Sequence, residues 1–472
     1  MLRATVVDRA HRYRELLAIG LNPVDGAGPA RPHRMGFPMM PGRFPRLGHL
    51  PALTWDMPAL LEWGVERCGP SFWIDRGFGS EVLQLTDAAS FSMFRNKTTD
   101  SSFHEEAAGA LLGRSMIVLD GPEHKRVRGA TTSAFSPVGL DRAAVGQVIA
   151  EVARRRVEAW AGPWSEKRVP IAREMRELAL EVIFLIIGIE LSDVPAWRHH
   201  YEELLLSAIN IPFDFPGSPQ RRGWKAEAWL EREMGEIVDR AEREADTSSL
   251  LGAMVHGRDE HGRGLSRDEL IANARLLVFA GHETTASVLA WAFVHLASAP
   301  PVWDELVEEA TALGGAVVDF HQMTRAKIAE AVFRETLRLY PPVINDVRRV
   351  RGPYEVEGRP IEVGTVIGCS IHHLSRDPGR YPHPDQWRPH RWLGLDRRPN
   401  ALEMCQFGGG PHFCLGYHVA MLEGVAVLLA AAHALSRWGA RPRFTGTMPR
   451  PRFLPIQHPP RNLILQIRRG PR

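Results

Sequence analysis

The sequence has few cysteines, and none of them lies in a pattern typical of a disulfide scaffold or a zinc site. Four cysteines occur among 472 residues, at Cys68, Cys369, Cys405 and Cys414. No CxxC pair is present, and no spacing resembles a zinc motif. A few scattered cysteines in a chain of this length indicate a reducing compartment and exclude a disulfide framework. They leave open whether one cysteine has a chemical role.

The sequence also lacks a long hydrophobic run and an excess of one charge. The longest apolar runs, 182–189 and 425–432, are far shorter than the ~20 residues that span a membrane. Lys plus Arg number 58 and Asp plus Glu number 55, so the net charge is +3 with no dense basic tract. The N-terminus lacks the apolar core of a secretory signal, and Asp8 and Glu15 argue against a transit peptide. We therefore expect a soluble cytoplasmic protein without a transmembrane segment or a nucleic-acid partner.

Several common cofactor and catalytic motifs are absent. The sequence contains no GxGxxG turn, no GxxxxGK loop and no GxSxG elbow. The segment HETTA at 282–286 lacks the second histidine of a zinc-protease helix. The chain therefore gives no indication of its own NAD, FAD or ATP domain.

The patterns that are present predict a mainly α fold with small β-sheets. Short β-rich patches occur at 72–74 and 82–85, and a helical pattern runs from about 120 to 345. A strand pair around Gly358 and a strand at 462–467 follow. The Gly- and Pro-rich end of residues 1–35 reads as a linker. We predict an N-terminal extension at 1–35 and one main domain at 36–472.

One long helix is predicted between Ser266 and the Pro300–Pro301 pair. Ser266 and Glu269 have the spacing of a capping box, and the two prolines end the helix. Its length is about 50 Å, and its apolar middle predicts burial. At the centre lies AGHETT, at 280–285. A glycine and an acid there cost stability, so the cluster indicates either a functional role or a helix kink satisfied by a threonine hydrogen bond.

The strongest local pattern is FGGGPHFCLG at 407–416, followed by a helical pattern to about residue 437. A cysteine at a helix N-terminus faces unpaired N–H groups, which favour its thiolate form. Gly416 has no side chain, so a flat ligand can approach the backbone closely. The alternative is a free cysteine that merely packs at the start of a helix.

Together these motifs resemble the cytochrome P-450 haem-thiolate monooxygenase family. Phe407, Gly410, Cys414 and Gly416 match the haem-binding loop. Glu335 to Arg338 is similar to the ExxR helix, and 387–392 (WRPHRW) is similar to the aromatic-x-Pro-x-Arg-aromatic segment. Residues 280–285 resemble the oxygen-activating helix, and 124–128 resemble the HxxxR helix. The motifs occur in the family's order and cover about 36–472. The departures are Trp387 and Trp392 for phenylalanine, His390 for glutamate and His412 for arginine.

The resemblance implies a single triangular-prism domain with a long central helix across the haem. It implies that Cys414 ligates the iron of heme b (iron protoporphyrin IX), its thiolate favouring O–O cleavage. The remaining implied haem-binding residues are His124, Arg128, Arg348 and His412 at the propionates, with Phe407, Gly408, Gly416 and Ala280.

The resemblance also assigns an acid–alcohol pair and a structural triad. Glu283 and Thr284 would relay protons during oxygen activation. Glu335, Arg338 and Arg391 would form a buried charged triad that braces the cysteine loop.

The implied substrate pocket is mostly apolar. Its expected lining residues are Ala280, Val343, Ile344, Asn345 and Phe453, with the segments 104–116 and 211–224 beside them. The second segment is broken by Pro and Gly, as in a mobile lid. This lining favours an apolar or amphipathic substrate, such as a terpenoid, steroid or polyketide of secondary metabolism.

The implied activity is a monooxygenase that hydroxylates or epoxidises such a molecule with one atom of O2. Electrons would come from a separate ferredoxin or flavodoxin and its NAD(P)H-dependent reductase. Lys125 and Arg126 are either docking charges for that acidic partner or part of a solvated basic face, and we expect a monomer. Two alternatives remain: a haem-thiolate peroxygenase or isomerase that needs no external electrons, and a non-catalytic haem- or ligand-binding protein.

Overall fold

The computed structural model describes residues 31–106, 113–164, 166–208, 217–245, 247–395, 397–453 and 456–469. Their contacts divide the chain into two compact units. Unit 1 comprises the described residues up to Phe103, then Arg334–Cys414 and those of Thr447–Pro460. Unit 2 comprises His104–Phe333, Leu415–Gly446 and the residues from Arg461 onward. The prediction of one domain over 36–472 stays a prediction.

The fold is mainly helical, with small sheets, as the sequence predicts. The principal helices are α1 (Leu50–Cys68), α2 (Gly121–Thr132), α3 (Pro137–Arg142), α4 (Val145–Glu158), α5 (Ile171–Ile186), α6 (Val194–Ala208), α7 (Pro219–Glu244), α8 (Leu250–Val255), α9 (Arg267–Ser298), α10 (Pro300–Ala312), α11 (Phe320–Met323), α12 (Lys327–Leu339), α13 (Ile371–Leu374) and α14 (Tyr417–Ser436). The strands are β1 (Arg31–Pro32), β2 (Pro38–Met39), β3 (Ser71–Asp75), β4 (Glu81–Leu85), β5 (Thr99–Asp100), β6 (Glu166–Val169), β7 (Asp346–Val350), β8 (Glu355–Val356), β9 (Arg359–Pro360), β10 (Val366–Cys369), β11 (Ala440–Arg443) and β12 (Leu465–Arg469).

Unit 1 is built on a seven-stranded sheet in the order β1-β2-β3-β4-β10-β7-β5. The antiparallel pair β3 and β4 falls on the two β-rich patches of the sequence, with Ser71 opposite Leu85. Strand β10 pairs parallel with β4 and antiparallel with β7. Apolar side chains from these strands, including the fully buried Leu83 and Ile367, form the core of the unit.

The sheet begins before residue 36. Strand β1 pairs antiparallel with β2, and the indole of Trp73 donates a hydrogen bond to the Arg34 carbonyl at 3.0 Å. The His33 ring lies 3.1 Å from the Glu81 carboxylate. Residues 31–34 thus contact the sheet, although the predicted boundary places them in the extension.

Unit 2 is predominantly helical and is centred on α9. The predicted capping box is present, because Ser266 accepts a hydrogen bond from the Glu269 amide and Glu269 accepts one from Ser266. A three-stranded sheet in the order β11-β12-β6 completes the unit. Strand β6 falls inside the stretch predicted as helical. Its short, charged sequence EKRV has no strand periodicity, and it is held by pairing with β12.

Two helical segments are long and apolar enough to pass a test for membrane spans. They are Arg267–Ser298 and Gly410–Ser436, and 78% of the tested window of each is buried inside the protein. Core helices pass the same test, since burial in protein and in lipid both select apolar side chains. Burial therefore accounts for the apolar composition of both segments.

Candidate active site

The loop before Cys414 has a backbone that only glycine tolerates at two positions. Gly408 and Gly410 have positive φ angles of 71° and 60°. A Cβ at Gly410 would lie 1.9 Å from the carbonyl oxygen of Phe94. The Cys414 amide donates to the Phe407 carbonyl at 2.8 Å and closes the loop. Of the four cysteines, Cys414 alone is exposed.

Phe94 joins the cysteine loop to Arg348. The Arg348 guanidinium lies over the Phe94 ring, 5.2 Å from its centroid. It also donates to the Val347 carbonyl at 2.9 Å. The sequence predicted a propionate role for Arg348 but gave no sign of the aromatic ring that supports it.

His412 lies two residues before Cys414 and has a hydrogen-bond partner in the same unit. Its Nε2 lies 3.2 Å from the Ser101 hydroxyl, which is fully buried. The ring is thereby oriented by a side chain that no sequence motif indicated. The propionate role of His412 stays a prediction.

The predicted triad of Glu335, Arg338 and Arg391 is assembled. Arg338 donates to both carboxylate oxygens of Glu335, at 2.8 and 2.9 Å, and Arg391 Nε donates at 3.0 Å. Glu335 and Arg338 are 0% exposed. Such a buried pair needs every lone pair and proton satisfied, and here the Arg388 amide also donates to Glu335 at 2.8 Å.

The two tryptophans that depart from the family pattern use their indole N–H groups in this cluster. Trp392 donates to the Glu335 carboxylate at 2.9 Å. Trp387 donates to the Thr336 hydroxyl at 3.0 Å. Phenylalanine has no such donor, so these substitutions add hydrogen bonds to the triad region. The departures from the pattern were the signal that could have identified this role.

Helix α2 in unit 2 carries His124 and Arg128, which lie four residues apart on one face. His124 is buried. Between them, Lys125 pairs with Glu260 at 2.7 Å, and Arg126 pairs with Glu269. An acidic docking partner would have to compete with these carboxylates for Lys125 and Arg126.

The centre of α9 contains the predicted acid–alcohol pair on an uninterrupted helix. The Thr284 hydroxyl donates to the Ala280 carbonyl at 2.6 Å, so the hydrogen bond of the alternative interpretation is present. Ala280 is exposed. A Cβ at Gly281 would lie 3.3 Å from Ile183, so this glycine allows α5 to approach α9 closely.

Glu283 is held by an arginine that the sequence analysis missed. Arg176 on α5 donates from Nε to both carboxylate oxygens, at 3.0 and 3.1 Å. Burial favours a raised pKa for Glu283, but its interactions with His282 and with the Arg176 guanidinium outweigh it and hold the pKa below its usual value. Arg176 is 107 residues away in the sequence, which is why no local pattern indicated it.

The predicted pocket residues differ in exposure. Val343 is 43% exposed, whereas Ile344 and Phe453 are buried. Asn345 accepts a hydrogen bond from Gln84 at 2.8 Å, which orients its amide. Of the two predicted flanking segments, 104–116 and 211–224, residues 107–112 and 211–216 lie outside the described residues.

A sequence profile of the family described as cytochrome P450 matches residues 38–438. The chain belongs to the cytochrome P450 family. This P450 is 37% identical over 442 residues to the "Cytochrome P450 BJ-4 homolog" of Sinorhizobium fredii, covering 93% of this chain and 97% of the relative. It is 28% identical to the "Cyclooctat-9-en-7-ol 5-monooxygenase" of Streptomyces melanosporofaciens, covering 88% and 92% of the two chains.

A solved structure has the same fold. The retinoic acid-bound cyanobacterial CYP120A1 matches this P450 with a TM-score of 0.78 at 23% identity, covering 91% of this chain and 99% of that one. The protein is a cytochrome P450 monooxygenase, and its family implies a haem-thiolate cofactor. The residues present fit such a group. The thiol of Cys414 is exposed, and it follows a loop in which the position of Gly410 has no room for a side chain.

Proposed function

We propose that this P450 inserts one atom of O2 into an apolar or amphipathic small molecule by hydroxylation or epoxidation. The observation that carries the proposal is the centre of α9, where the buried carboxylate of Glu283 is clamped by Arg176 and is followed by the hydroxyl of Thr284. O2-dependent chemistry requires delivered protons, whereas a peroxide-driven reaction does not require this pair.

In this proposal the cofactor is heme b, bound through the thiolate of Cys414. When bound, it supplies the redox chemistry that activates O2. His124, Arg128, Arg348 and His412 would hold its propionates. The remaining haem contacts are Phe407, Gly408, Gly416 and Ala280.

The protein's own contribution is to hold and move protons. Glu283 is ionised near neutral pH, because its pKa is held below its usual value. As the ion pair with Arg176 loosens, the pKa of Glu283 rises, and it can take up a proton from a hydronium ion of the solvent and pass it on. The Thr284 hydroxyl donates to the Ala280 carbonyl at 2.6 Å, and its oxygen would accept a hydrogen bond from a water held beside Glu283.

The proposed substrate class is terpenoid-like. A relative is named for oxidation of cyclooctat-9-en-7-ol, and a structural neighbour binds retinoic acid. Val343 provides exposed apolar surface, Ile344 and Phe453 are apolar and buried, and Asn345 provides an amide that Gln84 orients. A terpenoid alcohol or acid would match that combination, and steroids and polyketides are the neighbouring classes. We place the reaction in secondary metabolism.

We further propose that the protein works as a soluble cytoplasmic monomer. A separate ferredoxin or flavodoxin, reduced by an NAD(P)H-dependent reductase, would supply the electrons.

The first test is the ferrous carbonyl spectrum. Wild-type protein should show the red-shifted Soret band of thiolate-ligated haem, and Cys414→Ser should lose it. Cys68→Ser is the matched control, because Cys68 lies outside the loop and should keep the band. A Cys414→Ser spectrum identical to wild type would overturn the ligand assignment.

The second test compares electron sources with a terpenoid library preselected by spin-state shifts. We expect product with NADH, ferredoxin, its reductase and O2. Product with hydrogen peroxide alone would instead favour a peroxygenase. Spectral shifts without product in either regime would favour a binding protein.

A further inference from the structure

A polar cavity of about 380 Å³ lies in unit 2 among helices α5, α6 and α9. Arg173 and Arg176 come from α5, Arg198 and Tyr201 from α6, and His282 from α9. Arg198, Tyr201 and Glu202 have the spacing of one helix face, so their side chains meet those of α5 across the cavity. A volume of this size accommodates a small organic molecule.

The arginines of the cavity differ in their pairing. Arg173 pairs with Glu177 at 2.7 Å, and Arg176 pairs with Glu283. Arg198 has no carboxylate within ion-pair distance among the described residues, and its side chain is only partly exposed. The cavity therefore contains one guanidinium that forms no ion pair with a described side chain.

Two buried polar side chains of the cavity also lack hydrogen-bond partners among the described residues. They are Tyr201, through its hydroxyl, and His282, through Nδ1. Both residues are less than 5% exposed. A buried polar group without a partner costs ~1–3 kcal/mol, so such groups point to a bound water or ligand.

The protonation states of both groups suit an acceptor ligand. Burial keeps the pKa of Tyr201 well above 10, so its hydroxyl remains a donor. Burial also lowers the pKa of His282 to about 4, so the ring is neutral near neutral pH. Its Nε2 lies 3.7 Å from Glu283, too far for a hydrogen bond, which leaves the ring free to carry its proton on Nδ1.

We propose that this cavity binds a small monocarboxylate. The carboxylate pairs with Arg198, accepts a hydrogen bond from the Tyr201 hydroxyl and accepts a second from Nδ1–H of His282. A single negative charge is favoured over a phosphate or dicarboxylate, because Glu177 and Glu202 also line the cavity and repel a higher charge.

The cavity shares a residue with the proposed catalytic machinery. Arg176 lines the cavity and clamps Glu283, so a bound carboxylate would lie beside the ion pair that fixes the acid. Binding itself does not depend on the haem or on monooxygenase activity.

Calorimetric titration of the full-length holoprotein with propionate tests the proposal, at constant ionic strength in chloride. We expect saturable binding at one site, weakened about tenfold or more in Arg198→Gln and in Tyr201→Phe, which corresponds to about 1.4 kcal/mol. Arg142→Gln is the matched control, because Arg142 is exposed on α3 and is not a lining residue. It should bind propionate as the wild type does.

Three outcomes would overturn the inference: no saturable binding, unchanged binding in both cavity variants, or phosphate binding more tightly than propionate. Circular dichroism and the carbonyl spectrum establish that each variant is folded. If Arg198→Gln does not fold, Arg198→Lys replaces it in the titration. This variant keeps the positive charge and should retain part of the affinity for propionate. If wild-type holoprotein shows an intact carbonyl spectrum but no propionate binding, this site fails while the proposed oxidation chemistry is unaffected.

Discussion

Glu423 on α14 is a carboxylic acid buried in unit 2. Its exposure is 3%, and its Oε1 has no hydrogen-bond partner among the described residues. Burial raises the pKa of Glu423 to about 8 from an ordinary value of 4.5. The side chain is therefore neutral near neutral pH, and the folded protein retains a proton that the unfolded chain releases.

This residue predicts a pH dependence of stability. Protonated Glu423 contributes fully to the free energy of unfolding below the pKa that it has in the unfolded chain. This contribution is lost as the pH rises toward 8, by about 1.4 kcal/mol per pH unit. Glu423→Gln cannot ionise, so its free energy of unfolding should increasingly exceed that of the wild type over the same range. Denaturant unfolding between about pH 5 and 8 measures the difference.

Glu236→Gln is the control for Glu423→Gln, because Glu236 is exposed on α7. Its difference from the wild type should change little with pH. Parallel pH profiles of Glu423→Gln and wild type would show that Glu423 does not hold a proton in the folded state.

A second residue-scale prediction concerns Trp392. Trp392→Phe keeps most of the ring but removes the donor to Glu335. A hydrogen bond to a charged group contributes ~1.5–3 kcal/mol, so the variant should lose stability of that order. Trp224→Phe is the control, since Trp224 is 52% exposed, and it should stay within ~0.5 kcal/mol of wild type. Equal stability of both variants would rule out the role of the indole.

At the scale of elements, helix α9 has a structural role and, in our proposal, a chemical one. Thr284→Ala should lower the product formed per NADH consumed, because the variant lacks the hydroxyl that we propose holds water. Thr311→Ala is a matched control: Thr311 on α10 makes the same bond to the carbonyl four residues earlier, at 2.7 Å. Both variants should unfold within ~0.5 kcal/mol of wild type. Wild-type coupling in Thr284→Ala would refute the role of Thr284.

Local patterns predicted the elements well. The capping box at Ser266 and Glu269, the two strands β3 and β4, and the β8–β9 pair around Gly358 are all confirmed. Each depends on residues close in sequence, where periodicity, capping and turn conformation act directly. Gly358 has a φ of 71°, as a tight turn between two strands favours.

Partners distant in sequence could not be predicted. Arg176 clamps Glu283 across 107 residues, and Trp392 reaches Glu335 across 57. A motif specifies which residue types a site needs but not which side chains pack against it. The same limit explains why β6, which is stabilised by pairing with a distant strand, was read as part of a helical stretch.

At the scale of the whole molecule, the predicted boundary at residue 36 can be tested by truncation. A protein that begins at residue 31 keeps β1 and the contacts of His33 and Arg34 with the sheet, so it is the reference for a shorter one. Removal of residues 1–35 deletes β1 and the Arg34 carbonyl that accepts from Trp73. The buried indole then lacks its partner, which should cost ~1–3 kcal/mol. Equal stability of the two truncated proteins would place the boundary at residue 36 after all.

Because the cysteines differ in exposure, alkylation can be used to measure the fraction of the protein that contains haem. Burial raises the pKa of Cys68 and of Cys405 to about 11 and that of Cys369 further, so their thiols react slowly with alkylating reagents. Cys414 is exposed, so brief alkylation of haem-depleted protein should mark this position first. Iron ligation should shield it. The fraction of tagged Cys414 peptide in mass spectrometry would then report how many molecules in a preparation carry haem, and equal tagging with and without haem would contradict the ligand assignment.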